Sequence, residues 1–334
     1  MAFVSPSARL NTTHPSRIAR AKTFFERLGY HVKIIFNPLP SSFPDAVLQR
    51  CEEIHTAFRD PAIKAIVCTI GGLSANELLP HLDYSLIRAH PKIFVGYSDI
   101  TLLHHALFTH ANLCTFYGPA ILPQFGDPQH FDFTTAHFLH VLQQSVHTPI
   151  GPIPRSPVWT EDHRDWEISG TDTSEQERTV TASPPWKWLR HGTATGRLFG
   201  GCLPSICQVV GTPYAVDYRD RILLLETPEG ETGGAFPVEQ ARSCLADLVN
   251  AGILRAVAGI VCGRGFRYDE VMREEFEQVL LDQCWGMEGV PILANVDSGH
   301  TDPMVTLPLD GLVRLDSRRD EFVVLESAVA AREG

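Results

Sequence analysis

KIFVGYSDIT, residues 92–101, is the stretch on which the reading of this chain turns. Ile93, Phe94 and Val95 form a short apolar run of the kind a covered strand makes, and Gly96-Tyr97-Ser98-Asp99 turns away from it. Leu102, Leu103, Ala106 and Leu107 then recur at the spacing of one packed helix face. A strand, a tight turn carrying a serine and then a helix make a nucleophile elbow. Such a turn presents the hydroxyl at the carboxyl end of a sheet, above a helix N-terminus. Ile100 stands where the second glycine of the G-x-S-x-G form would be, so half of that motif is present. A Ser-Asp pair capping the helix is the structural alternative. Partners at other strand ends would decide between the two.

Outward from this turn the chain alternates. Residues 2–5 read as a first strand and Ser16 to Leu28 as an amphipathic helix ended by Gly29. Tyr30 to Phe36 reads as a second strand and Asp45 to Phe58 as a second helix. Ala65 to Ile70 is the apolar run of a parallel strand covered on both faces, broken by Gly71-Gly72. Paired glycines admit a ligand close to the backbone and aim N–H groups at negative charge; a plain tight turn is the alternative. A short helix begins at Ala75, Cys114 to Tyr117 is a further strand, and Phe131 to Gln144 is helical. This order predicts an α/β fold, a doubly wound sheet over residues 1–146 with its site at the carboxyl edges of the strands.

Residues 147–185 are polar and rich in Pro, Ser and Thr, which predicts a linker and a substrate-facing loop. Trp159 and Trp166 within it could stack on a flat ligand or close a small local core. A second domain is expected over residues 186–334. Its strands are read at Arg221–Leu225, Val257–Cys262, Pro291–Asn295, Leu312–Leu315 and Phe322–Leu325, with helices at Leu203–Val210, Val238–Leu248 and Met272–Leu281. Leu307 to Gly311 reads as a turn within that domain.

Composition narrows the classes. The 334 residues suffice for two domains, and 44% hydrophobic with 20% charged residues is ordinary for a globular protein. A formal net charge of -11 argues against a broad surface for a nucleic-acid polymer. No apolar run is long enough for a membrane helix, and the first residues lack the build of a secretory signal, so a cytoplasmic location is expected. The eight cysteines include no CxxC pair and read as small buried hydrophobes. Fifteen histidines contain no HExxH, so no metal is expected, and SPSARL after the first strand lacks the G-x-G-x-x-G turn of a dinucleotide site, so no cofactor is expected.

Three strand ends present Ser98, Glu226 and His300. A serine hydroxyl needs a general base near neutrality, which histidine supplies, and the histidine needs an acceptor on its second nitrogen. Asp99 and Asp297 are rival carboxylates. Asp99 suits the cap of the elbow helix, and Asp297, three residues before His300, could orient it locally.

The run GGLSANELLPHLDYSLIRAHPKIFVGYSDIT resembles the signature region of the LD-carboxypeptidase family, in particular its microcin C self-immunity branch. The likeness continues through TFYGPA (115–120), WKWLRHGTATGRLFGG (186–201), GTPY (211–214), ILLLE (222–226) and NVDSGHTDPMVTLPLDG (295–311). It implies a serine peptidase with a Ser98, Glu226 and His300 triad, and an oxyanion hole from the backbone N–H groups of Gly72 and Asp99. It also implies an N-terminal Rossmann-like domain, a C-terminal β-rich α/β domain, and a homodimer. The expected reaction is cleavage of an amide in an aminoacyl- or peptidyl-nucleotide of the microcin C type, the partner being such a nucleotide or a small peptide; murein tetrapeptides and small-molecule amides or esters are the alternatives, as is a catalytically silent binding protein. Asn76, Glu77, Trp186 and Arg264 are candidate substrate contacts, and Arg267 is a second candidate grip for an anionic group. Two departures stand out. Cys202 replaces the family's asparagine, and TPEGETGG follows Glu226, so Glu229 and Glu231 compete for the carboxylate role.

Overall fold

The structure, a computed structural model, describes residues 1–144, 147–162 and 177–329. Two sheets dominate it. The first contains β1 (Ala2–Val4), β2 (Lys33–Ile35), β3 (Ala65–Cys68), β4 (Ile93–Gly96) and β5 (Phe116–Tyr117), which are mutually parallel in the order β2-β1-β3-β4-β5. Its helices are α1 (Pro15–Arg27), α2 (Phe43–Arg59), α3 (Tyr84–Ala89), α4 (Thr101–Ala111) and α5 (Asp132–Leu142). The direction of winding reverses between β1 and β3, and at such a switch point the loops splay apart to leave a crevice.

The remaining strands are β6 (Gly151–Pro152), β7 (Val158–Trp159), β8 (Thr181–Ala182), β9 (Lys187–Arg190), β10 (Thr193–Cys202), β11 (Ile222–Glu226), β12 (Gly259–Gly263), β13 (Ile292–Val296), β14 (Leu307–Pro308), β15 (Leu312–Asp316) and β16 (Glu321–Val324). The second sheet has the order β6-β16-β15-β10-β11-β12-β13-β9. Its centre, β10 to β13, is parallel, while β9, β15, β16 and β6 join antiparallel at the sides. Crossovers run through α6 (Leu203–Val209), α7 (Val238–Asn250), α8 (Ile253–Ala256) and α9 (Glu270–Gln283). The mixed α/β class and the parallel-rich sheets expected from sequence are what the fold contains.

Parallel strands covered on both faces need apolar residues throughout, which explains why Ile222 to Leu225 and Ile260 to Cys262 are buried in unbroken runs. Two apolar cores result. One packs α2, α3 and α4 on one face of the first sheet, through Phe58, Phe94 and Leu107. The other is continuous from Phe3, Val95 and Tyr117 of the first sheet to Leu224, Val261 and Leu293 of the second. Each such side chain contributes roughly 1.5–3 kcal/mol of transfer free energy. The shared core brings the carboxyl ends of β3, β4 and β5 against those of β11 and β13.

Leu307–Pro308 departs from the expected turn. It forms β14, pairing antiparallel with β5 at the edge of the first sheet. Within residues 147–185, the described portion contributes Ile150 and Ile153 to the larger core and pairs β6 with β16. Trp166 lies outside the described residues.

Candidate active site

Ser98 follows β4 by one extended residue, Tyr97, and then adopts φ +65°. A non-glycine residue in the left-handed region costs about 1–3 kcal/mol, so surrounding contacts must hold it there. Thr101 donates its hydroxyl to the Ser98 carbonyl at 2.7 Å and accepts from the Cys202 N–H at 3.0 Å, tying the turn to the end of β10. The Ser98 N–H donates to the Tyr117 hydroxyl at 3.1 Å. A Cβ on Gly71 would lie 2.7 Å from the Ser98 Cβ, so only glycine leaves this serine its space.

Glu226 ends β11 and is fully buried. Its Oε2 lies 2.7 Å from His300 Nδ1, and its Oε1 accepts from the Tyr117 hydroxyl at 2.5 Å. His300 Nε2 in turn is 3.0 Å from Ser98 Oγ. With Nδ1–H donating to the carboxylate, the Nε2 lone pair faces the serine hydroxyl. Gly299, at φ +104°, makes this approach possible, because a Cβ there would come within 2.7 Å of Glu226 Oε2. Burial pulls the His300 pKa down, but the charge and hydrogen bond of Glu226, with smaller help from Glu229 and Asp99, carry it above 6.5.

The rival carboxylates are engaged elsewhere. Asp99 does not cap its own helix. Its carboxylate accepts from the Ser7 hydroxyl at 2.5 Å and from the Ser74 and Ala75 N–H groups at 3.2 Å each, capping the 3₁₀ turn Ala75–His81 instead. Burial raises its pKa, and Ser7 with the Ala75, Ser74 and Gly72 amides opposes the rise. Asp297 does not reach His300 either. It pairs with Arg264, accepts from the Trp186 indole at 2.9 Å and receives the Ser156 N–H at 3.4 Å. On the other side of His300, Asp302 pairs with Arg178 at 2.6 Å and accepts from Gln124 at 3.2 Å. The histidine loop is thus pinned at both ends by buried charge. Glu231 sits in an exposed turn, and Glu229 lines the cleft with His300 and adds its charge to that of Glu226 there.

Ser98 and His300 open on a cleft of about 720 Å³ whose walls include Gly71, Gly72, Tyr97, Glu229, Phe266 and Arg267. This is a size suited to a small organic ligand. The four proposed substrate contacts are not among its lining residues. Asn76 is exposed on the 3₁₀ turn, Glu77 pairs with Arg50, and Trp186 and Arg264 form the cluster around Asp297. Trp159 stands 5.7 Å below the Arg264 guanidinium. Arg267 does line the cleft, held by its bond to the Gly233 carbonyl at 2.7 Å.

Tyr117 is the residue that sequence reasoning passed over. The signal was there, since it closes the strand beside β4 and pairs in register with Gly96. The adjacent histidines prove to be core residues: His104 bonds the Gly96 carbonyl, His105 bonds Thr101 and Tyr218, and burial pushes their pKa values down to about 3 and about 4. Among the described residues there is no cluster of three metal-ligating side chains and no helix long and apolar enough to cross a membrane.

Comparison with known proteins bears on this geometry. The LD-carboxypeptidase N-terminal domain matches residues 1–118 and the LD-carboxypeptidase C-terminal domain matches residues 195–315. YocD of Bacillus subtilis, named a carboxypeptidase by inference, is 31% identical over 94% of this chain and 92% of its own. The microcin C7 self-immunity protein MccF of Escherichia coli is 26% identical over 99% of this chain and 94% of its own. A solved structure of MccF in complex with aspartyl sulfamoyl adenosine superposes with a TM-score of 0.88 at 26% identity, covering 98% of this chain and 96% of that one.

Proposed function

This chain belongs to the LD-carboxypeptidase family of serine peptidases, and from that premise we propose that Ser98, His300 and Glu226 hydrolyse the amide of an aminoacyl- or peptidyl-nucleotide. The observation that carries the reading is the unbroken relay from Ser98 Oγ to His300 Nε2 at 3.0 Å and from His300 Nδ1 to Glu226 at 2.7 Å. As Oγ attacks the carbonyl carbon, its proton passes to His300 Nε2, and the buried Glu226 carboxylate stabilises the imidazolium. The carbonyl oxygen becomes an oxyanion, received by the backbone N–H of Asp99 and by that of Gly72, which must turn to it from the Asp99 carboxylate. The left-handed Ser98 and the start of α4 just after Asp99 support that reading, since a helix N-terminus favours developing negative charge. Collapse breaks the C–N bond while His300 returns its proton to the leaving nitrogen. Water, deprotonated by the same imidazole, then releases the acyl group from Ser98. General base help of this kind contributes roughly 10²–10⁴-fold, and each oxyanion donor roughly 10²–10³-fold.

The nucleotide is favoured by the chain-long likeness to MccF, one structure of which holds aspartyl sulfamoyl adenosine. The cleft supports it with Arg267, a cation able to meet an anionic linkage. Hydrolysis of aspartyl sulfamoyl adenosine, an L,D-tetrapeptide and a simple ester, by the native chain and by Ser98→Ala, tests both levels. Turnover of the adenosine compound that vanishes in the variant is expected. Equal turnover by Ser98→Ala sinks the serine assignment, and preference for the tetrapeptide moves the substrate to murein.

A further inference from the structure

Tyr117 touches both halves of the site. From the last position of β5, its hydroxyl accepts the Ser98 N–H at 3.1 Å and donates to Glu226 Oε1 at 2.5 Å. Both bonds are buried or nearly so, and the ring is fixed edge-on against Tyr97 with centroids 6.4 Å apart. Neither bond is decorative. Ser98 sits in a left-handed conformation that its side chain does not favour, so a bond to its N–H restrains the turn most liable to relax. Glu226 has two oxygens and spends one on His300, so whatever occupies the other fixes the plane of the carboxylate and the direction of Oε2.

We infer that Tyr117 is a positioning residue: its hydroxyl fixes the Ser98 turn and the Glu226 carboxylate against each other, and thereby holds His300 between them. This rests on the reading that Ser98, His300 and Glu226 react. The hydroxyl does not itself transfer a proton. Burial and the charge of Glu226 push its pKa well above that of free tyrosine, so it stays a donor throughout.

A second consequence is electrostatic. A hydrogen bond to Oε1 takes up part of the carboxylate's charge. Removing it leaves more of that charge for the imidazolium, so His300 should hold its proton to higher pH. The titratable groups facing this pair include Glu229 and Asp99, which act on His300, Tyr97, whose ring packs on it with centroids 5.1 Å apart, and Cys202 and Cys262, which lie beside Glu226; Arg267 stands across the cleft. All of them are retained in Tyr117→Phe.

The experiment measures the rate at which a fluorophosphonate labels the native chain, Ser98→Ala, Tyr117→Phe and Tyr218→Phe, across the pH range in which imidazole titrates. In labelling, Ser98 Oγ bonds to phosphorus, fluoride leaves and the hydroxyl proton goes to His300, so no knowledge of the natural substrate is needed. Tyr218→Phe is the matched control, since it also removes a buried hydroxyl bond, to His105 at 2.8 Å, away from the cleft. Tyr117→Phe should label about 10–100-fold more slowly, the span that loss of a hydrogen bond to a charged group covers. Its acid limb should move up by about half a pH unit or more. Tyr218→Phe should keep both the rate and the limb. Placed in a Glu226→Gln background, Tyr117→Phe should cost less than about 3-fold, because the coupled partner is already changed.

A merely structural tyrosine would lower the melting temperature without moving the acid limb. A native chain that is not labelled overturns the Ser98 reading and the inference together. A native chain labelled at Ser98, with Tyr117→Phe unchanged in rate or with its acid limb unmoved or lowered, overturns the inference alone.

Discussion

Around Ser98 the backbone holds the geometry, whereas around His300 buried side chains do. The serine turn is set by a left-handed residue, by a glycine that yields it space, and by its own main-chain groups, the Ser98 carbonyl accepting from the Thr101 hydroxyl and the Ser98 N–H donating to Tyr117. The histidine loop has main-chain bonds of its own, between Asp302 and Thr160 and from the Val305 N–H to the Asp297 carbonyl, and adds buried charge to them. It is fixed by Asp297 with Arg264 on one side and Asp302 with Arg178 on the other, and by Glu226 from beneath. The two regions should therefore fail differently. Damage to the first should cost rate with little stability, and damage to the anchors of the second should cost stability first.

The largest effect is expected where the two regions meet. Glu226→Gln keeps the shape but removes the charge that fixes the imidazole tautomer, and should lower kcat by about 10³–10⁴-fold. Glu229→Gln, at the cleft wall, should change kcat by less than about 10-fold, since the charge of Glu229 acts on His300 more weakly than that of Glu226. Steady-state kinetics on the two variants, with a substrate from the panel above, give the ranking directly; the reverse order would move the carboxylate role away from Glu226.

Next comes an anchor of the histidine loop. Arg178 and Asp302 are both buried, so Arg178→Met strands a charge and should cost about 3–5 kcal/mol of stability in urea unfolding. The folded fraction should keep much of its kcat, because Glu226 still orients His300. If stability is unaltered and activity collapses, the anchor is catalytic rather than structural, and the contrast drawn here breaks.

Gly71→Ala probes the opposite region. The added methyl would crowd Ser98 Cβ at 2.7 Å and displace the hydroxyl, and a displacement of that order costs about 10²-fold in kcat. The melting curve should move little, which a thermal scan can check beside the rate. A large stability loss at unchanged rate would show that the turn yields without harm.

The acid limb of kcat/KM gives a further handle. In the proposed mechanism His300 must be neutral to accept the serine proton, and Glu226 raises its pKa above 6.5 in the folded protein. Activity should therefore rise with pH through a midpoint above that value, and fall away below it as the imidazole is protonated. A limb centred lower than 6.5 would mean that burial outweighs Glu226.

What the sequence disclosed follows the same division. The β4, turn and α4 unit was legible because its determinants are local: an apolar strand, glycine, and a helix face at regular spacing. Glu226 was legible as the end of an apolar strand, but its priority over Glu229 and Asp297 was not. That priority depends on Gly299 admitting the imidazole and on Arg264 and Trp186 occupying Asp297, contacts between segments far apart in the chain. Asp99 misled for a similar reason, since Ser7 and the Ala75 turn meet it only once three strand ends are aligned. Leu307–Pro308 reads as a turn because two residues carry no period, and its partner β5 belongs to the other sheet.

Cys202 offers the smallest and sharpest test of that division, because it stands at the seam. It pairs in register with Glu226, and its N–H bonds Thr101 of the serine turn. Its backbone thus serves the first region while its side chain faces the second. Burial, followed by the charge of Glu226, pushes the thiol pKa well up, so it remains a neutral, weak donor beside the carboxylate. If the seam works through its backbone, Cys202→Ala should leave the Thr101 bond in place and lower kcat by less than about 3-fold, since S–H donors are weak. Cys202→Pro would remove the N–H and should approach the loss seen for Gly71→Ala, with the melting temperature showing how much is unfolding. Should the alanine variant lose as much as the proline one, the thiol's contact with Glu226 outweighs the backbone bond, and side chains govern both regions after all.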